Sequence, residues 1–213
     1  MLRRSLIAGS LVCGVLAVLP IGASAAPEQQ VLPSNLISDV LALNGRIRLG
    51  SLQPDVTLIE FFDYNCPYCK NSALDLFQLI RGDNSLGYIL INYAVLSEAS
   101  IVAAKVALAF SMQKSASYAS FHQKLFERKG VIGADHAIDV AVNLGADKTR
   151  LIKDADSDMV TKALIASAKL GENLGFIATP SYIIGNTGVQ GYASLTEKKQ
   201  FISNMRKCEK TVC

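Results

Sequence analysis

Val56-Thr57-Leu58-Ile59-Glu60-Phe61-Phe62-Asp63-Tyr64-Asn65-Cys66-Pro67-Tyr68-Cys69 decides the fold. Val56 to Phe62 is a β-branched and aromatic run broken only by Glu60, the pattern of a buried strand. From Pro67 to Arg81 the apolar residues Ala73, Leu74, Phe77 and Ile80 recur at helical spacing. Pro67 suits a first turn and Gly82 a stop. A strand therefore delivers two thiols to the start of a helix. Cysteines at i and i+3 on a first turn lie on one face, with Cα atoms roughly 5 Å apart, which is within disulfide reach. Cys66, nearest the unpaired N–H groups and the positive end of the helix dipole, is favoured as thiolate and as the attacking sulfur; Cys69 is the resolving thiol.

Working outward, Gly82-Asp83-Asn84-Ser85 reads as a turn and Tyr88 to Leu96 as a second central strand, parallel to the first across the helix. From Glu98 to Gly171 only helical patterns occur, over Ile101 to Phe110, Tyr118 to Glu127, Ala134 to Leu144 and Asp158 to Leu170. Ile101 to Phe110 is apolar nearly all round, as a helix buried at a domain junction would be. Pro180 to Ile184, a turn at Gly185 to Gly188, and Val189-Gln190 predict a hairpin that finishes the sheet, and Leu195 to Met205 a closing helix. Before the opening stretch, Pro33-Ser34 starts one short helix that stops at Asn44-Gly45, and Ile47 to Leu49 suits an edge strand.

Residues 1–25 have a basic start at Arg3 and Arg4, an apolar run from Leu6 to Ile21 and the small-residue pattern Ala23-Ser24-Ala25. This is a secretory signal peptide with cleavage near Ala25/Ala26, too short in its apolar run for a membrane span. Cleavage leaves about 188 residues and removes Cys13, so four of the five cysteines remain. It also takes 21 basic residues to 19 against 18 acidic, a net charge of +1 that suggests no nucleic-acid partner. No Gly-rich phosphate loop is present. An even cysteine count in an exported chain is compatible with two intramolecular pairs.

Four places resemble the DsbA-like periplasmic thiol–disulfide oxidoreductases of the thioredoxin superfamily. They are Glu60 to Cys69, with an acidic residue six positions before the first cysteine; Ala178-Thr179-Pro180-Ser181-Tyr182-Ile183-Ile184; the helical region between these two; and Gly188-Val189-Gln190-Gly191 with the last helix. The resemblance implies an α/β thioredoxin-like fold, a central mixed sheet flanked by helices, over 46–97 and 172–206. An all-helical insertion occupies 98–171, an N-terminal extension with its short helix 26–45, and a C-terminal tail 207–213. It further implies a cis Thr179–Pro180 bond facing the disulfide, substrate binding by Pro67, Tyr68, Thr179 and Pro180, and a role for Glu60 as proton acceptor of Cys69. A carboxylate in such an apolar run needs partners, and burial raises its pKa.

The implied activity is a periplasmic oxidase that introduces disulfides into reduced or unfolded exported proteins, works as a monomer without a cofactor, and is reoxidised by a DsbB-type membrane partner. One departure bears on direction: strong oxidases of this family usually carry Pro-His between the cysteines, and this chain carries Pro67-Tyr68. An isomerase or reductase kept reduced is the alternative, and a non-enzymatic chaperone or copper-binding module stands further off. Cys208 and Cys213 form C-x4-C after the last helix and suit a structural disulfide closing the tail, an exposed redox pair or an intermolecular bond. Zinc binding by both cysteine pairs is disfavoured by the loose second spacing, and no metal is expected. His122 and His136 read as ordinary helix residues. Asp154, Asp156 and Asp158 mimic a calcium loop but lack its Gly and Glu, so a helix cap fits better.

Overall fold

A computed structural model describes residues 27–114 and 117–213; the expected signal peptide lies outside the described residues. The elements run β1 (Glu28–Val31), α1 (Ser34–Ala42), β2 (Ile47–Gly50), β3 (Val56–Phe62), α2 (Pro67–Gly82), β4 (Leu86–Asn92), α3 (Glu98–Lys114), α4 (Tyr118–Phe126), α5 (Ala134–Asn143), α6 (Lys148–Ala155), α7 (Asp158–Asn173), β5 (Ser181–Ile184), β6 (Thr187–Gln190) and α8 (Leu195–Cys208). The six strands form one mixed sheet in the order β1-β6-β5-β3-β4-β2. β3 and β4 pair in parallel across α2, and every other neighbour is antiparallel.

Alternation along β3 builds two cores. Leu58 and Phe62 face one layer with Tyr88, Leu90, Tyr182 and the buried side of α2, and this layer continues into the helices of the insertion. Ile59 and Phe61 face the other, with Ile89, Ile91 and Val40 of α1 and Leu170 of α7. Glu60 shares its face with Leu58 and Phe62 and so points beneath α2, opposite Tyr182 of β5. The insertion packs onto the site end through an aromatic group. The ring of Phe62 meets His122 edge-on at 4.8 Å and Tyr64 at 5.0 Å, and Phe110 stacks on Phe121 at 4.6 Å. Desolvation there pushes the His122 pKa down to about 3, so this imidazole is neutral.

Several boundaries differ from the sequence reading. The hairpin does not finish the sheet: β1 pairs with β6 and makes the outer edge. β4 begins two residues earlier than expected and ends at Asn92, because Val95 and Leu96 turn their N–H groups to the Asp63 carboxylate. An additional helix, α6, is capped by Asp147, which accepts from the N–H of Arg150. The cap of α7 is Ser157, with Asp158 in its first turn, where negative charge suits the helix dipole. The β5–β6 turn is only Gly185-Asn186, and Gly185 at φ 57° supplies the left-handed first position that such a hairpin requires.

Candidate active site

Two loops at the ends of the parallel strands β3 and β4 hold the start of α2 in place. Asp63 accepts the N–H of Asn65 at 2.8 Å through one oxygen, and those of Val95 and Leu96 at 3.0 and 3.1 Å through the other. Cys66 then takes the N-cap position of α2, followed by Pro67 at the first helical position. Asn65 fixes the insertion to the same point. Its amide donates to the Ile132 carbonyl at 2.9 Å and to Ser100 Oγ at 3.0 Å, and its carbonyl accepts the Ile132 N–H at 2.7 Å. Sequence reasoning passed over Asp63 and Asn65, although polar residues between a buried strand and a helix start are natural loop-locking groups.

Both thiols of the pair are reduced in this structure. The thiol of Cys66 donates to the Thr179 carbonyl at 3.1 Å, a contact across 113 residues, and Thr179–Pro180 is a cis bond. The pKa of Cys66 falls to about 6: the Cys69 thiol donates to its thiolate, and Thr179 and the N–H groups of Cys69 and Tyr68 add to this, against a smaller cost of burial. Cys69 moves the other way. It is buried, and desolvation first, then the thiolate of Cys66 and the charge of Glu60, hold its pKa well above the ordinary thiol range. The two sulfurs are therefore chemically unequal.

Glu60 is fully buried below Cys69, and desolvation raises its pKa against the opposing pull of the Lys198 ammonium and the hydroxyls of Tyr88 and Ser72. Tyr88 donates to its carboxylate in a short hydrogen bond. The polar group extends sideways. Ser72 Oγ lies 2.9 Å from the Tyr182 hydroxyl, Lys198 Nζ donates to Ser72 at 3.0 Å and to Asp75 at 2.8 Å, and the Tyr192 hydroxyl donates to Asp75 at 2.9 Å. Lys198 has no exposed surface, which a charged residue in a helical pattern does not reveal.

Cys66, Cys69, Glu60, Thr179 and Pro180 thus converge, while Pro67 and Tyr68 stand exposed beside them, with the Tyr68 ring 6.3 Å from that of Tyr192. Cys208 and Cys213 do not join the site. They are bonded to each other at the end of α8, where Thr211 donates to Gln29 of β1 at 2.8 Å and its carbonyl accepts from Asn204 at 2.7 Å. Among the described residues no helix is long and apolar enough to cross a membrane.

A sulfur of lowered pKa capping a helix behind a parallel strand, a buried partner sulfur and a facing Thr-Pro loop define a thioredoxin-fold thiol–disulfide oxidoreductase of the DsbA-like kind. The chain belongs to the thioredoxin family, whose model matches residues 43–204. It is 24% identical over 189 residues to disulfide bond formation protein D of Bacillus subtilis (strain 168), spanning 82% of this chain and 83% of that protein. Among solved structures it is similar to a thioredoxin-like oxidoreductase of Silicibacter pomeroyi DSS-3, with 29% identity and a TM-score of 0.74 over 80% of this chain and 98% of the other. The thiol–disulfide exchange protein alpha-DsbA2 of Wolbachia pipientis matches at 26% identity and a TM-score of 0.75, over 81% and 92%.

Proposed function

We propose that the protein is an exported, periplasmic disulfide oxidase that acts as a monomer on reduced or unfolded exported proteins and is reoxidised by a DsbB-type membrane partner. In this reading a substrate thiolate attacks Cys66 of the Cys66–Cys69 disulfide, the Cys66–Cys69 bond breaks, and Cys69 leaves and takes up a proton with Glu60 as its proton partner. The substrate's second thiolate then attacks the substrate sulfur of the mixed disulfide. A substrate disulfide forms, Cys66 leaves as thiolate, and two electrons have passed to the enzyme.

The observation that carries this reading is the inequality of the two sulfurs. A Cys66 pKa lowered to about 6 leaves this thiol mostly ionised at pH 7, which stabilises the reduced pair relative to an ordinary thiol and so raises the reduction potential. The similarity to a disulfide bond formation protein agrees in direction. Tyr68 favours a second reading, an isomerase or reductase kept reduced, because a phenol adds no positive charge beside the thiolate. The oxidised protein mixed with a reduced, unfolded two-cysteine substrate decides between them. Stoichiometric oxidation that Cys66→Ser abolishes supports the oxidase; reshuffling of a scrambled substrate by the reduced protein, without net oxidation, overturns it.

A further inference from the structure

A cleft of about 310 Å³ opens at Cys66 and runs along the start of α2 to the loop that follows α4; none of its lining comes from the Thr179–Pro180 loop. Its apolar lining includes Phe126 and Ile132, its charged lining is Lys70, Arg128 and Lys129, and no acidic side chain lines it. Arg128 donates to Asp139 at 3.0 Å, which offsets much of its charge; among the described residues no ion pair engages Lys70 or Lys129, and both are exposed. The cleft is held in shape, because Asn65, next to Cys66, bonds both the N–H and the carbonyl of Ile132. Its basic character is local, since the residues after position 26 carry 19 basic side chains, the total of 21 less Arg3 and Arg4, against 18 acidic.

We propose that this cleft selects among substrates, and that it takes an extended segment whose cysteine reacts at Cys66 and whose neighbouring acidic side chains lie against Lys70 and Lys129. This rests on Cys66 being the exchanging sulfur. It does not depend on the direction of exchange. Rim charges of this kind act chiefly on encounter and specificity, each pair contributing modestly and fading with salt.

The test uses the reduced Cys69→Ser chain and single-cysteine peptides activated as mixed disulfides with thionitrobenzoate. Cys66 thiolate attacks the peptide sulfur, the peptide–thionitrobenzoate bond breaks, and thionitrobenzoate leaves as a coloured thiolate. Three peptides differ only in carrying Glu, Gln or Lys at the positions flanking the cysteine. The expected second-order rate constants fall in the order Glu, Gln, Lys, with the Glu peptide about 5- to 10-fold faster than the Lys peptide at low salt. That ratio shrinks toward one in 0.5 M salt, where charges are screened over roughly 4 Å. Adding Lys70→Glu and Lys129→Glu inverts the order within the one variant, whatever its absolute rate. Equal rates for the three peptides, or an order that survives the two reversals, overturns the selection and leaves the oxidase reading standing. Failure of the oxidised protein to oxidise dithiol substrates, with the Glu preference intact, overturns only the oxidase reading.

Discussion

Replacing Cys69 by Ala tests where the low pKa of Cys66 comes from. The largest contribution is the hydrogen bond from the Cys69 thiol, with Thr179 and the N–H groups of the helix start behind it. A hydrogen bond to a charged group contributes about 1.5–3 kcal/mol, which corresponds to about 1–2 pH units. The apparent pKa of Cys66, about 6 in the reduced protein, should then rise to about 7–8 in Cys69→Ala. At pH 7 the thiolate fraction falls from about nine-tenths to between about one-tenth and one-half. Iodoacetamide alkylation of the reduced protein, followed by mass spectrometry from pH 4 to 10, reads this directly, since only the thiolate reacts. Cys69→Ser keeps an O–H donor in place and should hold the pKa close to that of the unaltered protein. A Cys69→Ala profile that superimposes on that of the unaltered protein would refute the reasoning and assign the shift to the helix start and Thr179 alone.

Stability of the reduced protein should depend on pH through Cys66. Its folded pKa lies below the ordinary thiol value, so the contribution is complete above about pH 9 and is lost as pH falls through about 6. Glu60, whose pKa is raised, runs the opposite way, but it is common to Cys66→Ser and cancels in the difference. In urea titrations the unaltered protein should gain on the order of 1 kcal/mol over Cys66→Ser between pH 5 and 7, and a flat difference contradicts the shift. Removing the tail disulfide with Cys208→Ser and Cys213→Ser should cost about 2 kcal/mol, as closure of so short a loop suggests, while the Cys66 alkylation rate at pH 7 stays unchanged; a slower rate would tie the tail to the site. Lys198→Met strands Asp75 under α2 and should cost about 3–5 kcal/mol, part of it recovered by adding Asp75→Asn; a loss under about 1 kcal/mol would show that the pair adds nothing.

The part of the fold set by side-chain pattern was legible. Val56 to Phe62 alternates between two apolar layers, and Pro67 after Cys66 marks the helix start, with Cys66 as its cap. What escaped is bound by backbone or by long range. β1 is Glu-Gln-Gln-Val with mostly exposed side chains, so its membership of the sheet rests on its ladder with β6. α6 is eight residues long and buries only Leu151 and Ala155, too few for a helical stripe to stand out. The inward face of Lys198 is hidden for another reason. Its partners Ser72 and Asp75 lie more than 120 residues away, and a lysine reads as solvent-facing by its charge although its spacing from Phe201 and Ile202 places it on their buried face.

The contact between Cys66 and Thr179 also joins two stretches of chain that are made far apart in time. A chain delivered N-terminus first presents Cys66 and Cys69 long before Thr179, and closing a loop of 113 residues comes late in assembly. Through that interval Cys66 lacks its facing wall and Cys69 the burial that raises its pKa, so the two sulfurs are less unequal than in the finished fold. The nascent molecule is then an unfolded polypeptide with reduced thiols, the same kind of molecule that the oxidase reading assigns to its finished copies as substrate. On that reading each new copy, with its Cys208–Cys213 bond still to form, is itself a substrate for older copies.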